Sequence, residues 1–354
     1  MMNRIERIQK QLTKNNVDAI LITKGENRRY TTGFTGSAGA VLISQKGVTF
    51  ITDFRYIEQA KDEVKNAKII IHDGNLEKEV ASEIDRHGIQ KVAVEANTMT
   101  LKAFSTLKEY VNVELVPLEN IVDKVREIKE QSEIETMRTA AHIADQAFDY
   151  ILNVIKPGIT EREVRDELEA YMRKKGAFSS AFNIIVASGQ RAALPHGVAS
   201  KKVIEHGDMV TLDFGAMYNG YCSDITRTIA VGSCSDEFRD IYHIVLEALK
   251  RGTEGIRAGE KAKKIDDLTR NYITEKGFGD RFGHSTGHGL GLEVHEQLRL
   301  SDKSKEVLQA GMVVTVEPGI YIPGWGGCRI EDDIVVTENG YEIITHSTKK
   351  LLIL

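Results

Sequence analysis

Five side chains in the second half of the chain have the chemistry to hold divalent cations: Asp213, Asp224, His288, Glu317 and Glu331. Four carboxylates and one imidazole form a hard, oxygen-dominated donor set suited to ions such as Mn²⁺. With 52 acidic residues and 10 histidines in the chain, residue type alone selects nothing; local setting does. Asp213 and Asp224 fall on a predicted hairpin, MVTLDFGAMYNGYCSDITRTIAV, with Asn219-Gly220 as its two-residue turn. In that register Asp213 faces Thr226 and Asp224 lies two residues from Thr226. The aspartates are then diagonal neighbours on one face, roughly 5–8 Å apart at Cβ. Two buried carboxylates that close require a cation between them. Glu317 (VVTVEPGIYI) and Glu331 (CRIEDDIVV) are predicted on strands among apolar neighbours, where an unpaired acid is costly. His288 sits in GHSTGHGLG, whose glycines preclude a regular helix and let an ion approach the backbone.

The elements that must position these groups divide near residue 124. Residues 1–123 alternate short β-rich runs (DAILIT, AVLIS, VTFITD, KIIIH, KVAVE) with amphipathic helical stretches, the pattern of a small α/β layer domain. Its start, MMNRIERIQKQLTKNN, predicts a helix with Ile5, Ile8 and Leu12 on one face, not a signal peptide. The YTTGFTGSAG stretch lacks the lysine of a phosphate loop.

Residues 124–354 open with Ser132 and Glu135 as a predicted capping box for a long helix ended by Pro157-Gly158; Thr160 and Glu163 form a second box for a helix running to Gly176. A fixed offset of 101 residues then aligns Lys156 with Arg257, Gly158 with Gly259, Tyr171 with Tyr272, Lys175 with Lys276 and Gly176 with Gly277. Each copy reads helix, helix, strands, and each brings one acidic pair: Asp213 and Asp224 from the first, Glu317 and Glu331 from the second. Two such halves facing each other place four carboxylates in a central cleft.

Composition bounds the function. A chain of 354 residues, 41% hydrophobic, buries a sizeable core and most naturally makes two domains. Net charge is −5 with no basic run, which argues against nucleic acid as a partner. No stretch reaches the length of a membrane span. Cys222, Cys234 and Cys328 form no CxxC pair and are odd in number, which suggests a reducing cytoplasm.

The motifs LPHG (194–197), LDFG (212–215), YCSDITRT (221–228), GHSTGHGLGLEVHE (283–296), EPGIY (317–321) and RIEDD (329–333) resemble those of the proline-specific metallopeptidases of the pita-bread fold, the Xaa-Pro aminopeptidases (aminopeptidase P) and Xaa-Pro dipeptidases (prolidases). The first half resembles the amino-terminal domain of creatinase and prolidase, which in that family helps build a homodimer. The resemblance implies an α/β (α+β) chain with a creatinase-like first domain and a pita-bread second domain with a pseudo-twofold repeat. It implies two divalent ions, Mn²⁺ first, with Co²⁺ and Zn²⁺ open. Asp213 would bind one ion and His288 the other; Asp224 and Glu331 would bridge both; Glu317 would ligate and act as general base. His196 and His295 would steady the oxyanion or the substrate, and His284 would line the proline side. Thr226 and Arg329 would support the ligands, Arg329 through a bidentate contact to a metal-binding carboxylate. Proline-containing peptides would be the substrates. Arg299, four residues beyond His295, is a weaker candidate with two readings: a cation for the free carboxylate of a dipeptide, which would favour a dipeptidase, or a surface arginine. Two other readings stand beside this one: a metal-free creatinase-like amidinohydrolase, and a silent pita-bread module that binds peptides or proteins.

Overall fold

The computed structural model describes residues 3–354, and the chain falls into two compact units, Met1–Arg126 and Glu127–Leu354. The boundary lies slightly beyond residue 123 because a short helix, with Ile121, Val122 and Val125 buried, closes the first unit.

In the first unit the elements run α1 (Arg4–Lys14), β1 (Ala19–Ile22), α2 (Gly25–Thr32), β2 (Ala40–Ser44), β3 (Gly47–Thr52), α3 (Ile57–Glu63), β4 (Lys68–Ile71), α4 (Leu76–His87), β5 (Lys91–Glu95), α5 (Leu101–Tyr110), β6 (Glu114–Leu118) and α6 (Ile121–Arg126). The strands form one six-stranded sheet, ordered β4-β3-β2-β1-β5-β6. Strand β1, and β2 up to its last residue Ser44, read as unbroken apolar runs because every residue in them is buried. Strand β6 carries Pro117 and sits at the sheet edge, where a missing N–H is tolerated. That proline hides it from a sequence reading. In α1, Ile8 and Leu12 are buried and Ile5 is half-buried, as its periodicity predicts.

The second unit repeats a helix pair and a sheet. The pairs are α7 (Gln131–Ile151) with α8 (Glu161–Lys174), and α9 (Asp236–Glu254) with α10 (Ala262–Glu275). Between them run β7 (Ser179–Ser180), β8 (Ile185–Ser188), β9 (Met209–Phe214), β10 (Ala216–Tyr218), β11 (Tyr221–Cys222) and β12 (Ile225–Ala230). After α10 come β13 (Gly287–Gly289), β14 (Glu296–Leu300), β15 (Val313–Val316), β16 (Gly319–Ile322), β17 (Gly326–Arg329), β18 (Asp332–Val336) and β19 (Tyr341–Ile343). The first helix pair packs on the β12-β9-β8 sheet and the second on the β14-β13-β15-β18-β19 sheet, each around its own apolar core. The 101-residue offset maps α8 onto α10 end for end. It also pairs Gly158 with Gly259 (φ 98° and 85°) and Gly176 with Gly277 (φ 106° and 88°), left-handed positions that suit glycine alone. The repeat is structural.

Two sequence expectations are corrected. The cap of α7 is Glu130, whose amide donates to Glu133 (2.8 Å), while Ser132 and Glu135 lie inside the helix. The shift brings Glu133 to the buried face, where it accepts a 2.6 Å bond from the Tyr221 hydroxyl. The helix also ends at Ile151, a turn and a half before Pro157-Gly158. The box at Thr160 and Glu163 forms as expected, with the Glu163 amide donating to Thr160 Oγ1 (3.2 Å). Thr160→Ala should therefore lower stability by about 1 kcal/mol. Denaturant unfolding of the metal-loaded protein measures this, and an unchanged midpoint would mean the cap contributes nothing.

Candidate metal centre

Asp213 lies on β9 directly opposite Thr226 on β12, the predicted register. The ribbon does turn at Asn219-Gly220, both at positive φ (45° and 77°), but it is not continuous. Residues 215 and 223–224 interrupt it, and the tip strands β10 and β11 join β7 in a separate sheet. Asp224 occupies that break. Glu317 and Glu331 likewise sit between strands (β15 and β16; β17 and β18), not within them as the apolar runs suggested. A residue outside the ladder can aim its side chain inward while its amide finds a partner elsewhere. The Asp224 amide donates to Asp333 Oδ2 (2.9 Å), that of Glu317 to the Thr286 carbonyl (2.7 Å) and that of Glu331 to the Thr226 carbonyl (3.1 Å). The last bond joins the two halves.

The side chains converge. One ligand atom each from Asp224, His288 and Glu331 lie within 4.8 Å of one another, all buried. His288 Nε2 is 3.4 Å from Glu317 Oε1 and 3.7 Å from Asp224 Oδ2. Asp213 and Glu317 line the same cleft, about 500 Å³ in volume, with His196, His284, His295, Arg299 and Arg329. The structure thus gathers every sequence-predicted site residue at one place, except that Thr226 stands behind the wall.

The donor set fits a cation. Asp213 Oδ1, Asp224 Oδ1 and Glu331 Oε1 are buried with no hydrogen-bond partner, a costly state for carboxylate oxygens. His288 Nδ1 faces the Gly289 carbonyl (3.1 Å), so that nitrogen carries the proton and Nε2 turns a lone pair toward the carboxylates. Acceptors face acceptors. Burial, then the charges of neighbouring acids, raise Asp224 and Glu317 well above the carboxylate range, and raise Glu331 to about 8. Burial lowers His288 to about 3 and His284 to about 4. A bound cation would give the unpartnered carboxylate oxygens and the His288 lone pair a partner together, and would favour the ionised acids.

Supporting contacts differ in detail from expectation. Arg329 gives Asp213 Oδ2 one bond (2.5 Å) where a bidentate pair was expected, because its other nitrogens go to Thr226 Oγ1 (3.2 Å) and the Tyr321 hydroxyl (2.7 Å). Thr226 donates in turn to Glu331 Oε2 (2.6 Å). Tyr321 was not singled out in the sequence, though it ends the EPGIY motif. His284 Nδ1 donates to the Ser285 carbonyl (2.8 Å), so its Nε2 accepts from Tyr321 (2.8 Å). Both ring nitrogens are occupied, and the ring lines the cleft as an uncharged face. Asp333, which receives the Asp224 amide, and fully buried Arg227, which donates to the Thr226 and Glu331 carbonyls, were also missed. Both fall inside quoted motifs, Arg227 in YCSDITRT and Asp333 in RIEDD, but were not singled out there.

His295 stacks edge-on against His288 (ring centroids 4.3 Å apart) yet stays exposed to the cleft, as does His196. Arg299 stands on β14 opposite His288. Two backbone carbonyls, of Glu296 and Leu298, hold its Nη1.

Residues 135–338 match the model of metallopeptidase family M24, and residues 4–128 match the creatinase/prolidase N-terminal domain. The chain belongs to metallopeptidase family M24. It is 41% identical over 355 residues to an Xaa-Pro dipeptidase of Pyrococcus furiosus, covering 99% of this chain and 100% of that protein. Among solved structures it resembles an Xaa-Pro dipeptidase from Bacillus anthracis (57% identity, TM-score 0.98, 99% of each chain covered). It also resembles an X-Pro aminopeptidase from Thermotoga maritima (39% identity, TM-score 0.93, 99% of this chain and 100% of that one). The metallopeptidase fold, with its two facing halves, is thus shared across both activities. No helix among the described residues is long and apolar enough to cross a membrane.

Metal binding to this M24 peptidase should release protons. Glu331, raised to about 8 without metal, is mostly protonated at pH 7 and must ionise to ligate. The calorimetric enthalpy of Mn²⁺ binding to stripped protein at pH 7 should therefore depend on the buffer's ionisation enthalpy. Buffer independence at pH 7 would show that the carboxylates are already ionised.

Proposed function

We propose that this chain is a dinuclear Xaa-Pro dipeptidase, a cytoplasmic homodimer that uses Mn²⁺, with Co²⁺ or Zn²⁺ as substitutes. The observation that carries the dipeptide reading is Arg299. It is a half-buried cation on the cleft wall, with no carboxylate pairing it among the described residues, and its guanidinium is held by two carbonyls. Such a cation fits the free carboxylate that follows proline in a dipeptide. The metal-free and silent-module readings give no reason for Asp213, Asp224 and Glu331 to converge with unpartnered oxygens.

Asp213 would hold one ion and His288 the other, with Asp224 and Glu331 shared and Glu317 completing the set. When bound, divalent ions lower the pKa of water and polarise a carbonyl. Glu317 has one oxygen 3.4 Å from His288 and the other 3.9 Å from His284. It would take the proton of the attacking water and pass it to the leaving nitrogen. That nitrogen is proline's secondary amine, whose amide has no N–H to be recognised. Recognition must then rest on shape, and the uncharged face of His284 offers an apolar wall. His196 and His295, exposed to the cleft, would steady the developing oxyanion.

Ala-Pro and Ala-Pro-Ala, offered side by side to protein stripped and reloaded with Mn²⁺, test the reading. The dipeptide should be cleaved faster, and Arg299→Met should raise KM for Ala-Pro by about tenfold or more while leaving Ala-Pro-amide unaffected. Faster cleavage of the tripeptide would move the chain to aminopeptidase activity. Asp224→Ala or Glu331→Ala should abolish turnover and metal retention together, and a variant active with full metal would refute the shared-ligand assignment. His295→Ala should lower kcat by about a hundredfold with metal content unchanged; loss of metal would mark it as a ligand.

A further inference from the structure

Among the fully buried carboxylates outside the metal centre, two lie in the helices of the second unit and are left over by this chemistry: Glu161, the first residue of α8, and Asp266, in α10. Each points away from solvent into a loop that carries a cleft histidine.

Glu161 accepts bonds from both ends of the 188–200 loop. Its Oε1 takes the Ser188 amide (2.8 Å) and hydroxyl (2.9 Å); its Oε2 takes the Ser200 amide (2.9 Å) and hydroxyl (2.6 Å), and also Arg191 Nη1. Arg191 reaches on across the loop to the Val198 carbonyl (2.9 Å). The loop is closed into a ring around one carboxylate, and His196 stands on it. The His196 ring has no hydrogen-bond partner of its own among the described residues, so its place depends on the loop.

Asp266 does the same in the second half. Its Oδ1 accepts the Thr286 hydroxyl (2.8 Å) and amide (3.2 Å), and Arg270 pairs with both its oxygens (2.7 and 2.8 Å). Arg270 then donates to the carbonyls of Phe282 (2.8 Å) and His284 (2.7 Å). The backbone on both sides of His284 is gripped.

The two devices are not copies in sequence. The 101-residue offset that superposes α8 on α10 takes Glu161 to Ala262, not to Asp266. Arg191 comes from the loop it holds, whereas Arg270 lies one turn along the helix from Asp266. Nor does either acid serve mainly as a helix cap. In α8 that role belongs to Thr160 and Glu163, which leaves both Glu161 oxygens for the loop. Buried ion pairs add little net stability over apolar packing, and their best-attested use is to fix one arrangement.

We infer that Glu161 with Arg191 and Asp266 with Arg270 are positioning clamps, one per half, that set His196 and His284 in the substrate cleft. The inference rests on the cleft roles proposed above for those histidines. Displacing a substrate-facing group by about 1 Å can cost a hundredfold in rate.

Crossed double-mutant cycles on the Mn²⁺-loaded full chain test it, with kcat and KM for Ala-Pro, metal content and thermal unfolding as readouts. Glu161→Gln and Asp266→Asn should each lower kcat/KM by about 10- to 100-fold with metal content unchanged. Glu161→Gln should add little in a His196→Ala background and its full loss in a His284→Ala background. Asp266→Asn should show the reverse. A merely structural role would give additive losses in all four combinations, and full additivity in either matched pair would overturn the clamp. Should a carboxylate variant fail to fold, Arg191→Lys and Arg270→Lys, at partly exposed positions, carry the same cycles, and additivity there would overturn the clamp equally. His196→Ala and His284→Ala at wild-type rate would overturn the cleft reading and the clamps with it; defective histidine variants with additive clamps would overturn the clamps alone.

Discussion

The second unit is built around a repulsion. Asp213, Asp224, Glu317 and Glu331 are drawn into one cleft from both halves of the repeat, and three of them keep an oxygen without a hydrogen-bond partner. Carboxylates so placed repel and leave lone pairs unused, and burial with neighbouring charge makes Asp224, Glu317 and Glu331 resist ionisation. A histidine that also turns its lone pair inward adds no relief. Only positive charge at the centre reconciles these groups, and the chain's own cations are held just outside it. Arg329 touches Asp213 from one side, and Arg227 binds the carbonyls of Thr226 and Glu331 from behind. The arginines fix the backbone and the back of the site while leaving the inner oxygens open.

That constraint explains where the strands break. Within a regular ladder successive side chains alternate between faces, so neighbouring elements can aim several acids at one point only by leaving register. Asp224, Glu317 and Glu331 each occupy such a gap, and each amide is recovered by a partner from another element. Glycine serves the same end. A Cβ on Gly215 would lie 1.7 Å from the Ser223 carbonyl oxygen, and one on Gly287 would lie 1.9 Å from that of Thr315. The LDFG and TGHG motifs are thus close approaches of backbone that carry Asp213 and His288 to the centre.

Much of this was legible in the chain. The Asn219-Gly220 turn and alternating residues located Asp213 opposite Thr226, and one 101-residue offset revealed the two halves. Local signals failed where the outcome depended on distant partners. Ser132 and Glu135 spell a capping box as well as Glu130 and Glu133 do, but only Glu133 meets Tyr221. Arg329 looked bidentate because sequence cannot show that Tyr321 and Thr226 compete for its nitrogens. Tyr321, Asp333 and Arg227 lie within the quoted motifs, but their work shows only in contacts made across β16, β17, β18 and β12.

The wall that faces a substrate obeys a different logic from the centre. Most groups that would touch the proposed ions are buried and fixed by short-range bonds, whereas His196, His295 and Arg299 remain open to the cleft, and His196 and Arg299 owe their positions to backbone. An exposed side chain on an unsupported loop would sample many rotamers, and each would have to be given up on binding. Anchoring the main chain on both sides of such residues removes most of that cost before the substrate arrives. For a peptide bond without an N–H, the usual backbone handle is missing. The accuracy of the surrounding loops then has to supply what a hydrogen bond to the scissile amide supplies elsewhere.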